Sequence, residues 1–215
     1  MDRLMVTVSG VRGIVGSTIT AQVGRDFGCA FGTMLGAGKS VVIGRDSRQS
    51  GPEIQQAITD GLLSAGVNVT GLGIVSTPGV ALMTSKLSAD GGVIVTASHN
   101  PVQYNGIKFL QPTGTGLTAE DAIKLKSIWE AREFTTVADD ARGTESHDET
   151  AEQKHIEDVL AVCDTEAIAS KRFKVVLDSI NGAGCIATAA LMEKLGCELV
   201  HLNSEPTGDF AHNPE

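Results

Sequence analysis

The stretch "SVVIGRDSRQSGPEIQQAITDGLLSAGVNVTGLG", residues 40–73, decides the fold class. Val41, Val42 and Ile43 form an apolar run that ends at Gly44 and reads as a buried strand. A polar turn with Asp46 follows, then "GPEIQQAITDGLLSAG", whose apolar residues recur at helical spacing. Pro52 sits in the first turn, where its missing N–H costs nothing, and Gly66 marks the end. "VNVTGLG" returns as a strand, and strand–helix–strand of this length is a parallel βαβ unit. The plan recurs at residues 173–203, "FKVVLDSINGAGCIATAALMEKLGCELVHLN", whose helix ends at Gly196.

Working outward, Met5 to Val8 is a short strand candidate and "SGVRGIVGS" a glycine-rich loop. Thr20 caps the helical run "AQVGRDFGCAFGTMLG". "TPGVALMTSKL" is a short helix, and Val93–Val95 a further buried strand. "LTAEDAIKLKSIWEARE" is a charged amphipathic helix on which Trp129 reads as a packing residue. The expected fold is α/β: a mixed, mostly parallel sheet sandwiched by helices, followed by the beginning of a second domain of similar topology. Residues 1–134 form the first domain. Residues 135–153, "TTVADDARGTESHDETAEQ", are acidic and nearly free of apolar side chains, hence a linker or exposed segment. "KHIEDVLAVCDTEAI" restores helical periodicity, and residues 154–215 open the second domain. A lone strand–helix–strand has too little sheet to close a core, so the chain reads as the front part of something longer.

Composition narrows the function. Of 215 residues, 26 are acidic and 17 are lysine or arginine, a formal charge of −9 that argues against nucleic-acid or anionic-membrane partners. No apolar run approaches bilayer length, and "MDRLMVTVSG" lacks a signal-peptide core. Cys29, Cys163, Cys185 and Cys197 form no CxxC pair and read as free thiols of a reducing cytoplasm.

The chemistry gathers at "GGVIVTASHNPVQYNGIKF", residues 91–109. In an α/β sheet, ligands collect beyond the carboxyl ends of the strands, and Ser98 follows such an end. Pro101 stiffens the loop, His99 stands beside the hydroxyl, and Lys108 returns a cation toward it. That set suits a nucleophile or phosphoryl carrier; a plain turn built from Ser, Asn and Pro is the competing reading. A serine-hydrolase elbow is disfavoured, since Thr96 and Asn100 stand where G-x-S-x-G needs glycines. Arg12, flanked by glycines, suits an anionic ligand. Arg45, Asp46 and Arg48 are either ligand contacts or an internal ion-pair brace, and Asp178 and Asn181 precede a helix N-terminus.

"TASHNPVQYNGIKF" resembles the active-site loop of the α-D-phosphohexomutases, which include phosphoglucomutase, phosphomannomutase and phosphoglucosamine mutase. "SGVRGIVG", "IGRDSRQSG", "STPGVA", "VVLDSINGAG" and the terminal "FAHNPE" are similar, in order, to further segments of that family. The resemblance implies the N-terminal portion of an isomerase that interconverts hexose 1-phosphate and 6-phosphate through a phosphoserine and a bisphosphosugar. Ser98 would carry the phosphoryl group, and His99 and Asn100 would position it. Lys108 and Arg12 would bind phosphate, stabilise its charge and assist proton transfer. Mg²⁺ would sit on the phosphate of Ser98, and a hexose bisphosphate would serve as activator. The family's D-G-D-x-D-R metal run is not present; Asp139-Asp140 has the wrong spacing. Ser98 is therefore the one metal ligand implied, and the chain alone is expected to be an incomplete mutase. The alternative is a non-catalytic phosphosugar-binding or interaction module that retains the serine domain. Which hexose phosphate it takes and the oligomeric state stay open.

Overall fold

The computed structural model describes residues 3–213. Pro214 and Glu215, which end the "FAHNPE" motif, lie outside the described residues, as do Met1 and Asp2 at the start of the first domain. In chain order the elements are β1 (Met5–Thr7), β2 (Gly10–Ile14), α1 (Ala21–Leu35), β3 (Ser40–Arg45), α2 (Gly51–Ser64), β4 (Asn68–Ile74), α3 (Thr77–Lys86), β5 (Gly91–Val95) and β6 (Tyr104–Leu110). They continue with α4 (Ala119–Ala131), β7 (Glu145–His147), α5 (Ala151–Ala161), α6 (Thr165–Ser170), β8 (Lys174–Asp178), α7 (Cys185–Lys194) and β9 (Glu198–Leu202).

Seven strands form one sheet in the order β1-β2-β6-β5-β3-β4-β7. One side of it, β5-β3-β4-β7, is parallel, and β6, β2 and β1 continue it antiparallel. The period-two alternation of the strands divides the core between two faces. Val41, Ile43, Val93, Val95, Ile107 and Phe109 point to the face covered by α1, α2 and α4. Val42, Ile94 and Leu110 point to the other, under α3 and the start of α5. Each fully buried Ile or Phe contributes roughly 1.5–3 kcal/mol. Trp129 is a packing residue as expected: its ring stacks on Phe27 at 4.7 Å.

Helices α1 and α2 run against each other with almost no side chain between them. A Cβ on Gly28 would collide with the carbonyl of Ile58, and one on Gly61 with the carbonyl of Arg25. Close helix approach therefore accounts for part of the glycine content. Thr20 caps α1, its Oγ1 accepting the Val23 N–H at 3.3 Å.

Two stretches differ from the sequence reading. The glycine-rich "SGVRGIVGS" is not only a loop, because Gly10–Ile14 forms strand β2, paired along its length with β6. The strand's brevity and its two glycines hide the alternation. The stretch 135–153 is mostly exposed, yet Glu145–His147 extends the sheet as an edge strand parallel to β4, and α5 already begins at the buried Ala151. Polar pairs hold it: Thr144 N–H and Oγ1 donate to Asn68 Oδ1 at 2.9 and 3.0 Å, and Thr70 and Ser146 hydroxyls meet at 3.1 Å. Backbone and hydroxyl bonds need no apolar burial, so hydropathy carries no sign of them. The second unit begins as expected, with β8 and β9 parallel and joined through α7. Among the described residues no helix is long and apolar enough to cross a membrane. All four cysteines are free thiols.

Candidate active site

Parallel pairing of β3 with β5 sets their carboxyl ends side by side, which brings the turn after Arg45 against the loop after Val95. Asp46 N–H donates to the Val95 carbonyl at 3.0 Å. Thr96 Oγ1 donates to Asp46 Oδ2 at 2.6 Å and accepts the Ser98 N–H at 2.9 Å. Asp46 also accepts from Arg48, through its N–H and its Nε, both at 3.0 Å.

Arg48 then grips the loop. Its guanidinium, fully buried, donates from Nη1 to the carbonyls of Pro101 and Tyr104 at 2.9 and 3.0 Å. Nη2 donates to the carbonyls of Ser98 and Asn100 at 3.0 and 2.7 Å. With Nε on Asp46, all five guanidinium N–H groups are used, which is what a buried cation needs to offset its desolvation. Both backbone groups of Ser98 are thus held, one through Thr96 and one through Arg48. The residue sits at φ 58°, a left-handed conformation that costs a non-glycine residue about 1 kcal/mol. Its side chain is exposed, with Oγ 3.5 Å from His99 Nδ1. The cage fixes the backbone and leaves the hydroxyl facing outward.

Ser98 and His99 line a cavity of about 360 Å³, with Ser76 and Thr77 on one side and Gly182–Gly184 at the start of α7 on the other. Arg12 and Lys108 line a neighbouring cavity of about 250 Å³. Their shared face follows from register: Arg12 on β2 lies opposite Gly106 on β6, and Lys108 is two residues further along β6. Gly106 contributes no side chain between the two cations. Thr96 lines both cavities and joins them.

The chain is similar to known proteins over nearly its whole length. The family model for phosphoglucomutase/phosphomannomutase alpha/beta/alpha domain I matches residues 3–136, and the one for domain II matches residues 153–215. The chain belongs to the phosphoglucomutase/phosphomannomutase family. A phosphoglucomutase/phosphomannomutase of Thermococcus kodakarensis is 41% identical over 211 residues, covering 96% of this chain and 46% of that protein. A probable phosphoglucosamine mutase of Methanobrevibacter smithii is 38% identical over 208 residues, with 96% and 46% covered. Among solved structures, a phosphoglucomutase/phosphomannomutase family protein from Burkholderia thailandensis superposes with a TM-score of 0.83 at 31% identity, covering 97% of this chain and 47% of that one. The chain spans about half the length of the curated relatives it matches.

Not every residue singled out from the family motifs stands at the hydroxyl. The backbone carbonyl of Asn100 serves the cage, and its side-chain Oδ1 is buried with no hydrogen-bond partner among the described residues. The "GRDSRQSG" turn is the ion-pair brace, with Arg48 turned inward. Asp178 is engaged with Asn203 Nδ2 at 2.9 Å, His212 Nε2 at 3.0 Å and the Ile180 N–H at 2.9 Å. The Asn203 bond above all, then the His212 bond, hold its carboxyl down at about 2. Asn181 ties the two units together: its carbonyl accepts from Ser47 Oγ at 2.9 Å, and its Nδ2 donates to the Asp209 carbonyl at 2.9 Å. Two participants are not among the site residues read from the sequence. Thr96 opens the polar loop after Val93–Val95, and Phe210, whose ring lies 4.9 Å from the Arg48 guanidinium, stands far along the chain in "FAHNPE".

A family-implied Mg²⁺ needs hard oxygen ligands, usually one or two carboxylates beside phosphate oxygens and water. Among the described residues no group of three His, Cys, Asp or Glu side chains converges, and the Asp46 carboxylate beside Ser98 is taken up by Arg48 and Thr96. The residues present therefore do not form a Mg²⁺ site by themselves.

Proposed function

We propose that Ser98 carries the phosphoryl group of a phosphohexomutase reaction, exchanging it with hexose 1- and 6-phosphates by way of a bisphosphosugar. The observation that carries this reading is the cage: the Asp46–Thr96 pair and Arg48 hold both backbone groups of Ser98, while Oγ faces an open cavity. A surface turn needs no buried, fully bonded arginine beneath it.

In the forward step the hydroxyl oxygen of the sugar phosphate attacks the phosphorus on Ser98. The phosphorus–Oγ bond breaks, the sugar hydroxyl loses its proton and Oγ regains one. The bisphosphosugar then turns round and gives its other phosphoryl group back to Oγ. Charge on the transferring oxygens is what a protein must stabilise in such a step, and Arg12 and Lys108 supply two cations in the adjoining cavity. His99, within reach of Oγ, orients the hydroxyl and hands on its proton. A hexose bisphosphate is the activator that first loads Ser98. Mg²⁺ on that phosphate would need carboxylates beyond those described here.

Ser98→Ala tests the reading. With a hexose bisphosphate as donor, phosphoryl transfer to the protein should vanish in the variant and persist in the parent chain. Equal labelling of both sinks it.

A further inference from the structure

We infer that Phe210 is a positioning residue for Ser98, acting through Arg48, so that the seating of one strap from the second unit sets the order of the serine loop. The inference rests on the phosphoryl-carrier reading of Ser98 for its consequence, and on geometry for the coupling itself.

The strap is residues 207–210, which lie against the β3–α2 turn of the first unit before His212 returns to Asp178 of the second. Gly208 N–H donates to the Asn181 carbonyl at 3.1 Å, and that carbonyl also accepts from Ser47 Oγ at 2.9 Å. Gly208 is buried at φ 73°, and a Cβ there would collide with the Ser47 carbonyl. The strap is thus pressed against the β3–α2 turn with no side chain between. Two residues later, Phe210 lays its ring over the Arg48 guanidinium, 4.9 Å from centroid to Cζ.

That position matters because of how Arg48 is used. Its five donors lie in the plane of the guanidinium and all are taken. What remains open is the flat face, and an aromatic ring on that face attracts the cation and excludes water. Without the ring, water reaches the guanidinium and competes for the same donors. The carbonyls of Ser98, Asn100, Pro101 and Tyr104 then lose their common anchor, and Ser98 is released from its left-handed conformation. Phe210 also lines the cavity that Ser98 lines, so the strap forms part of its wall as well as bracing its floor.

The experiment is amide hydrogen exchange on the full chain and on Phe210→Ala, Phe210→Tyr and Gly208→Ala, followed by phosphoryl transfer from glucose 1,6-bisphosphate to the same four proteins. Phe210 is half-buried at the surface, so truncating it leaves the core intact. Exchange at Ser98, Asn100 and Tyr104 should rise about tenfold in Phe210→Ala while α1 and α2 stay protected. Gly208→Ala should do the same with the ring still present, and Phe210→Tyr should restore protection. The transfer rate at saturating donor should fall about tenfold in the two loosened variants, with the half-saturating donor concentration unchanged. A role as mere glue between units would raise exchange across the whole first unit or leave the loop unmoved; either result overturns the inference. So does full loop protection in Gly208→Ala. If the loop loosens as described but the parent chain never takes up phosphate, the coupling stands and the phosphoryl-carrier reading falls.

Discussion

Arg48 Nη2 donates to the Ser98 carbonyl at 3.0 Å, from a side chain with no solvent exposure, fifty residues earlier in the chain. A buried cation is thereby committed to the backbone of an exposed serine. Removing it leaves four carbonyls and the Asp46 carboxylate facing a void. Arg48→Ala should cost about 3–5 kcal/mol of stability, the usual penalty for breaking a buried pair from one side. Arg48→Lys keeps the charge but cannot reproduce five planar donors, so it should lose most of the same stability. Urea denaturation checks both, and a parental midpoint in either variant contradicts the cage.

Thr96 is tested by an isosteric change. Thr96→Val removes the hydroxyl that donates to Asp46 and accepts from Ser98. The loss should be about 1–3 kcal/mol, with Thr96→Ser close to the parent. The two variants bracket the hydroxyl, because one keeps shape and the other keeps chemistry.

Arg12 and Lys108 stand in the adjoining cavity and are not part of the cage. Lys108→Ala and Arg12→Ala should each slow transfer from a hexose bisphosphate by about 10²–10³-fold, the range for losing one charge-stabilising group. Thermal melting should shift little. A transfer rate within a factor of about two of the parent would remove that residue from the mechanism.

The His212–Asp178 pair gives a pH prediction. The Asn213 carbonyl first, then Asp178, raise the His212 imidazole above its ordinary 6.5. A raised histidine contributes stability below 6.5 and loses it as pH climbs through its folded value. Asp178, lowered from 3.8 to about 2, contributes above 3.8 and loses its share as pH falls toward 2. The contact is therefore fullest between 3.8 and 6.5. NMR titration should show the His212 midpoint returning part of the way to 6.5 in Asp178→Asn; an unmoved midpoint shows that the pair does not form.

How much of this was legible in the residues differs by region, for physical reasons. Thr20, Pro52 and the Val93–Val95 run declare themselves because caps, first-turn prolines and buried strands act over a few neighbouring residues. Strands β2 and β7 do not, because glycine pairs and hydroxyl ladders carry no hydrophobic period. Ser98, His99 and Arg12 stand out as polar groups at a strand end or beside glycines, and Lys108 as a cation on the segment that folds back toward them. The role of Arg48 was open between brace and ligand contact, since a charged residue in a turn looks the same whether it points in or out. Only the parallel pairing of β3 and β5 turns it inward. Phe210 over Arg48 is a contact between two units, and local pattern cannot express it.

The most direct measurement is intact-mass analysis of the chain after incubation with glucose 1,6-bisphosphate, followed by peptide mapping. One phosphoryl group should be gained, and it should map to Ser98. No gain in mass, or a phosphoryl group mapped to any other residue, contradicts the account.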